Sequence, residues 1–402
     1  MVENIQINIL EICSLKQAVT ELKKIDCDPA GVKLMQDKAV FKIIKIEKMK
    51  CKAANILKQT FLGKGGDVAV SGHSADLSQE YTSVLIMATL KQYKQALIQL
   101  KMQPWGLKQI GEKIENILKN ANTLPKRIYS WKDRQLVLDG ETSLVMGILN
   151  LTPDSFSDGG SYNKIDAAIQ HVENMQADGA DIIDIGAEST RPYDGGQKIS
   201  AVKEQERLLP FLQKILPHCS VPVSIDTYKA EVAEAALAMG AHIINDIWGL
   251  QQDVSMSSVV AKYDVPVIVM HNKAENSYPM GVMADIQQFL SRSIAIGIEK
   301  GIKGENIIID PGIGFAKTVE DNIEIMGHLD QFKKLNCPIL LGVSRKKFIG
   351  HVLDLPVNER LEGTIAASAL AKIKGVQIHR VHDVKAVKRT LMMMDAMIRS
   401  EI

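Results

Sequence analysis

The stretch "LVMGILNLTPDSFSDGG" (residues 144–160) decides the fold. An uninterrupted apolar run stops at Asn150 and passes into polar, glycine-rich chain, and a helix-like segment follows. The same pattern recurs downstream. Strand candidates are "LVMGIL" (144–149), "DIIDI" (181–185), "VPVSI" (221–225), "HIIN" (242–245), "VPVIVM" (265–270), "NIIID" (306–310), "PILLGV" (338–343) and "VQIHR" (376–380). Between them lie helix candidates such as "KIDAAIQHVENMQADG", "YKAEVAEAALAMG" and "EGTIAASALAKIKG", which close on glycine as helix C-termini do. Strands without polar alternation, each followed by a helix, indicate a parallel sheet covered on both faces. Eight such units predict an α/β fold, a (β/α)8 TIM barrel. The competitor, a doubly wound open sheet, usually has fewer strands.

Active sites of such barrels lie at the C-terminal ends of the strands. Here those ends carry Asn150, Asp184 with Glu188, Asp226, Asn245, His271, Asp310, Ser344 with Arg345 and Lys346, and Arg380 with His382. A single strand-end Asp or Asn is often only a helix N-cap. Polar residues at nearly every strand end point instead to a ligand site. An Asp310–Lys346 ion pair in an empty barrel is the purely structural alternative.

Residues 1–125 break the rhythm. "AVFKIIKIEKM" (39–49) reads as a strand, "KAANILKQTFLGKGG" (52–66) as a helix and "DVAVSG" (67–72) as a strand, with another strand and helices over 83–120. The reading is a small α/β domain at 1–125 ahead of a barrel domain at 126–402. Its "LGKGGD" (62–67) lacks the GK[ST] ending of a phosphate loop and reads as a helix end and turn. The small domain carries no catalytic constellation, so no function is assigned to it.

The chain has 402 residues and a net charge of +1, which exerts no strong pull on nucleic acid or an anionic membrane. No apolar run approaches the length of a membrane span, and the first residues lack a basic signal-peptide start. The five cysteines are widely separated and form no CxxC pair, which predicts free thiols in a reducing, cytoplasmic setting.

Seven motifs, in order, carry a resemblance. They are "MGILNLTPDSFSDGG" (146–160), "GADIIDIGAESTRP" (179–192), "SIDT" (224–227), "INDIWG" (244–249), "IIDPGIGFAKT" (308–318), "GVSRKKFIG" (342–350) and "HRVHDV" (379–384). From about residue 130 onward the chain resembles the dihydropteroate synthase family. The resemblance implies condensation of 6-hydroxymethyl-7,8-dihydropterin pyrophosphate with p-aminobenzoate, giving 7,8-dihydropteroate and pyrophosphate. It implies Asp226, Asn245, Asp310 and Lys346 at the pterin. A carboxylate suits a cyclic amidine edge because it accepts two parallel, charge-assisted hydrogen bonds. The resemblance places Asn150, Thr190, Arg191, Arg380 and His382 at the pyrophosphate, with Mg²⁺ held through Asn150. Asp226, Lys346, Arg380 and His382 are the implied catalytic residues. Phe156, Asp158, Thr190, Pro192, Phe315 and Lys347 are implied at the p-aminobenzoate pocket and its two covering loops. Family members usually form homodimers, and the apolar stripe of "VKRTLMMMDAMIRS" (387–400) suits either a partner or the barrel itself.

Three positions depart from the family pattern: "YDGGQK" after Pro192, Lys347 in place of a small polar residue, and Asn272 in "VMHN". Two other functions remain. A methyltetrahydrofolate:corrinoid methyltransferase shares the pterin barrel, but it holds no pyrophosphate and has no use for "SRK", "RVHDV" or the 150–160 loop. A non-catalytic pterin-binding module has no need of Asn150, Arg380 and His382 together.

Overall fold

The computed structural model describes residues 5–121, 124–151, 161–188 and 198–400. Phe156, Asp158, Thr190, Arg191 and Pro192 lie outside the described residues. The chain folds as two compact units, Met1–Asn122 with Ile398–Ile402, and Thr123–Met397.

The N-terminal unit begins with α1 (Leu15–Lys24) and α2 (Pro29–Ala39). There follow β1 (Phe41–Lys50), α3 (Cys51–Leu62), β2 (Asp67–Val70), β3 (Tyr81–Thr89), α4 (Leu90–Leu100) and α5 (Leu107–Ala121). The strands form an antiparallel sheet in the order β1-β3-β2. Its core gathers Leu57 and Phe61 of α3, Ile86 of β3, Tyr93 and Leu100 of α4, and Leu107 of α5. Capping boxes start α1 at Ser14/Gln17 and α4 at Thr89/Gln92, each satisfying two otherwise orphaned backbone N–H groups. The stretch 62–67 ends α3 and leads into β2.

The second unit opens with a hairpin, β4 (Arg127–Ser130) and β5 (Gln135–Leu138). Eight parallel strands follow: β6 (Leu144–Asn150), β7 (Ile182–Gly186), β8 (Val223–Asp226), β9 (Ile243–Asp246), β10 (Val267–Met270), β11 (Ile307–Asp310), β12 (Leu340–Leu341) and β13 (Ile378–Val381). They pair in the order β11-β10-β9-β8-β7-β6-β13-β12, and a parallel bridge between Ile309 and Ile339 closes the ring. The helices between and after them are α6 (Ser161–Ala177), α7 (Ala201–Ile215), α8 (Ala230–Met239), α9 (Met256–Tyr263), α10 (Val282–Glu299), α11 (Val319–Gly327), α12 (Lys347–Leu353), α13 (Leu361–Lys374) and α14 (Val384–Ser400). This is the (β/α)8 barrel expected from the sequence. Proline shortens some strands: β8 and β10 begin after Pro222 and Pro266, which have no N–H to give to a ladder. The expected strand 338–343 contracts to Leu340–Leu341, beyond Pro338.

Side chains alternate inward and outward along a strand. That alternation sorts the interior into layers. Met146, Ile182, Ile243, Ile268, Ile308, Leu340 and Ile378 form a buried apolar layer with Tyr129, Leu136 and Leu138 of the hairpin, which plugs the N-terminal end of the barrel. Two residues on, toward the C-terminal ends, the same inward positions carry Asp184, Asn245, Met270, Asp310, Gly342 and Arg380. The period of two therefore sets a polar floor on an apolar base.

The opposite parity points outward. His379 is buried, and neither ring nitrogen has a hydrogen-bond partner among the described residues. Nearby, Lys372 of α13 and Asp395 of α14 form a 2.7 Å ion pair. Burial, then the Lys372 charge, depress the His379 pKa to about 3, against a weaker opposing pull from Asp395. The unfolded chain takes up a proton below about pH 6.5, while the folded chain stays neutral down to about pH 3. Stability therefore falls as the pH drops through that window. His379→Leu is expected to remove about 2 kcal/mol of the stability lost between pH 7.5 and 5. Urea unfolding of both proteins at the two pH values measures this; equal losses would contradict it.

Candidate active site

Inward residues at the C-terminal ends of five strands converge on one pocket at the mouth of the barrel. Asp226 (β8), Asn245 (β9), Met270 (β10), Asp310 (β11) and Arg380 (β13) line it, and the connecting segments add Ile247, Ile313, Phe315, Gly342 and Lys346. The pocket is narrow and partly open to solvent.

Arg380 organises the floor. Its Nε donates to Asp184 Oδ2 at 2.6 Å and its Nη2 to Asp226 Oδ2 at 2.7 Å. Burial opposes the guanidinium charge, but the two carboxylates more than offset it and the group stays charged. Asn245 Nδ2 donates to the same Asp184 oxygen at 3.2 Å. The other oxygens, Asp184 Oδ1 and Asp226 Oδ1, are buried without a hydrogen-bond partner among the described residues. A buried carboxylate oxygen left bare costs several kcal/mol. Burial pushes the Asp226 pKa up, with Arg380 opposing and Asp184 adding to the rise.

Asp310 has a different environment. Its Oδ1 accepts the Gly312 N–H at 2.7 Å. Burial raises its pKa to about 6, against the pull of that hydrogen bond and of Lys346, Arg380 and Lys317. The turn after Asp310 is glycine-dependent. Gly312 has φ +71°, and a Cβ there would stand 2.0 Å from the His271 carbonyl oxygen. The turn presents Phe315, whose ring centre lies 4.4 Å from Lys346 Nζ.

Other expected residues lie farther out. Asn150 ends β6 half-buried, opposite Gly186 of β7. Strand β13 stops at Val381, so His382 begins the connection to α14, with Nδ1 3.1 Å from Ser344 Oγ. Lys347 is exposed at the start of α12 and does not line the pocket. Asn272 is buried and accepts the Lys273 N–H at 2.9 Å. The sequence left several pocket neighbours without a role: Asp184, Ile247, Met270, Ile313 and Gly342. Inward parity with Asp226 and Asn245 is the signal that finds Asp184 and Met270. Beside the mouth, Lys229 bonds the carboxylates of both Glu188 and Glu204.

Residues 146–382 match the family described as pterin binding enzyme. Dihydropteroate synthase of Bacillus subtilis (strain 168) is 52% identical over 258 residues, covering 64% of this chain and 90% of the relative. The chain belongs to the dihydropteroate synthases, within the pterin-binding enzymes. A crystal structure of the family from Clostridium difficile, determined with pteroic acid, superposes with a TM-score of 0.63 at 48% identity, over 65% of this chain and 98% of that one. The similarity also reaches the N-terminal unit. A probable bifunctional folylpolyglutamate synthase/dihydropteroate synthase of Halobacterium salinarum is 38% identical over 380 residues, 93% of this chain and 45% of the relative. No helix among the described residues is long and apolar enough to cross a membrane.

Proposed function

We propose that the barrel joins 6-hydroxymethyl-7,8-dihydropterin pyrophosphate to p-aminobenzoate, releasing pyrophosphate and forming 7,8-dihydropteroate for folate biosynthesis. The chain is accordingly a transferase. One observation carries the assignment of the pocket to the pterin: two buried carboxylates, Asp226 and Asp310, line a single pocket, and Asp226 keeps a bare oxygen. A cyclic amidine supplies parallel N–H donors for such an acceptor. Asn245 both donates and accepts along the ring edge, and Lys346 donates to its carbonyl or a ring nitrogen. Ile247, Met270 and Ile313 provide apolar contact.

The reacting carbon is the CH₂ beside the ring. Electron donation from the dihydropterin stabilises positive charge there, so the carbon–oxygen bond to pyrophosphate breaks before the aniline nitrogen attacks. The new C–N bond then sheds a proton from nitrogen. The amine is a nucleophile at neutral pH, so no side chain has to activate it. The chain contributes position and electrostatics. Arg380 holds Asp226 in place, and its remaining N–H donors, with His382, Asn150, Thr190 and Arg191, are assigned to the pyrophosphate. Phe315, Pro192 and Lys347 are assigned to p-aminobenzoate, with Phe156 and Asp158 on a covering loop.

Mg²⁺ is assigned to the pyrophosphate through Asn150. Among the described residues no three His, Cys, Asp or Glu side chains gather to hold a metal, and Arg380 neutralises the two floor carboxylates. A neutral oxygen at the end of β6 fits an ion carried mainly by substrate phosphates and water, which is how Mg²⁺ usually binds. Bound there, the ion would neutralise charge on the leaving group. The expected result is that Mg²⁺ raises affinity for the pterin pyrophosphate about tenfold in the native chain, and that Asn150→Ala loses this gain while keeping affinity for the bare pterin ring. Titration calorimetry with and without Mg²⁺ tests it; an unchanged gain in the variant would remove Asn150 from the metal.

The proposed assembly is a homodimer. It is supported by Met392, Met393 and Met397, exposed on α14. The free state of all five cysteines supports a cytoplasmic setting. Division into an N-terminal domain and a synthase domain is proposed with it, the former having no assigned activity.

A further inference from the structure

Behind the pocket lies a lysine that the reaction does not use. Lys317 is 7% exposed. Its Nζ has three acceptors for three donors: His271 Nδ1 at 2.8 Å, the Gly312 carbonyl at 2.9 Å and the Phe315 carbonyl at 3.0 Å. His271 is fully buried at the end of β10, and its Nε2 lies 3.0 Å from Asp285 Oδ1 on α10. That pairing puts the imidazole proton on Nε2 and leaves Nδ1 free to accept from the lysine. Lys273 holds the other Asp285 oxygen at 2.8 Å. The result is a chain from a half-buried surface carboxylate through a buried imidazole to a buried ammonium. It ends on the turn that carries Asp310 and Phe315.

We propose that Lys317, held by His271 and Asp285, is a positioning residue for the pterin site: it fixes the 312–315 turn and keeps Asp310 ionised for the ring. The proposal rests on the pterin reading above. Two features of the turn support it. Gly312 gives its N–H to Asp310 and accepts from Lys317 at its carbonyl, so one residue links the two charged groups. Phe315 gives its carbonyl to Lys317 while its ring faces Lys346. Loosening Lys317 therefore moves both the pterin carboxylate and the aromatic wall.

The charge matters as well as the bonds. The charged groups facing Lys317 are Asp310, Lys346, Asp321 at the start of α11, and Asp285. Burial pushes the Lys317 pKa down to about 7, and Asp310 pulls it upward. In return the ammonium is one of the cations that hold the Asp310 pKa down, with Lys346 and Arg380. Removing it raises the pH at which Asp310 takes up a proton and stops accepting the amidine pair.

The test is direct binding of 6-hydroxymethylpterin to the full chain by calorimetry from pH 5.5 to 8.5, alongside steady-state kinetics. Lys317→Met is expected to weaken the ring at pH 7 by tenfold or more and to move the acid limb of the binding profile up by about one pH unit. Asp285→Asn, a substitution at a half-buried site, is expected to shift both in the same direction by a smaller amount. In turnover, KM for the pterin substrate rises more than kcat falls. A residue that merely supports the fold would lower the unfolding temperature and leave the pH profile in place. If Lys317→Met does not fold, Asp285→Asn decides. Folded variants with native affinity and a native acid limb would overturn the proposal. Failure of the native chain to bind the ring at any pH would overturn the pterin reading, and this proposal with it.

Discussion

Arg380→Met is expected to lower the unfolding midpoint of the barrel by roughly 10 °C and to abolish turnover. The guanidinium is the cation bonded to both Asp184 and Asp226, whose side chains are 0% and 8% exposed. Without it, two buried carboxylates on the neighbouring strands β7 and β8 are left without their shared cation. Removing one partner of a buried pair costs about 3–5 kcal/mol, because the partner's charge is left uncompensated. At about 2–4 °C per kcal/mol for a domain near this size, the midpoint falls by the amount given. Part of the penalty is relieved when Asp226, whose pKa burial already raises, takes up a proton, so the loss is larger at pH 8 than at pH 6. Adding Asp184→Asn removes one of the orphaned charges and is expected to restore most of the stability but no activity. Thermal unfolding of native, single-variant and double-variant chains reads the first effect, and product formation reads the second. A single variant as stable as the native chain would show that the Arg380 bridge does not hold the floor together.

Asp310→Asn is expected to act in opposite directions on stability and activity. In the folded chain the Asp310 pKa is raised to about 6 by burial. The folded state therefore holds its proton more tightly than the unfolded state, and stability falls as the pH rises from about 4 to 6. At pH 7 the ionised carboxylate makes the substrate-free protein less stable by as much as about 3 kcal/mol. Asparagine keeps an oxygen for the Gly312 N–H and removes the charge, so the midpoint should rise by a few degrees. It also turns an N–H₂ toward ring donors that need an acceptor. Loss of two charge-assisted hydrogen bonds, at about 1.5–3 kcal/mol each, lowers kcat/KM by roughly 10²–10⁴. Lower stability with retained turnover would contradict both halves of this account.

The barrel was legible because its strands are buried on both faces. Runs such as "DIIDI" and "NIIID" carry no alternation to confuse them with a surface sheet. Their ends were less legible, because proline removes a ladder donor at Pro222, Pro266 and Pro338 without changing the apolar pattern. Hairpin β4–β5 went unread: its strands are four residues long, and its task as a plug depends on contacts with the ends of distant strands. Helices α1 and α2 also went unread, although Ser14 with Gln17 and Asp28 before Pro29 were available as start signals.

In the site, Asp226, Asn245, Asp310, Phe315, Lys346 and Arg380 line one pocket. Asp184 was visible only as a polar strand end. Its partner Arg380 lies six strands later in the sequence and next but one around the ring. Lys317 was hidden for a related reason. Nothing in "GFAKT" marks its lysine as buried, and its partner His271 follows a different strand, β10. Closure of the barrel creates these pairs.

The most direct measurement follows both products at once. The full chain is given 6-hydroxymethyl-7,8-dihydropterin pyrophosphate, p-aminobenzoate and Mg²⁺, and pyrophosphate and 7,8-dihydropteroate are quantified over time with Asp310→Asn as the control. The account predicts that both accumulate in equal amounts, that dihydropteroate formation requires p-aminobenzoate, and that the variant forms neither at a comparable rate. Pyrophosphate release without dihydropteroate, or no reaction by a folded chain that binds the pterin, would contradict it.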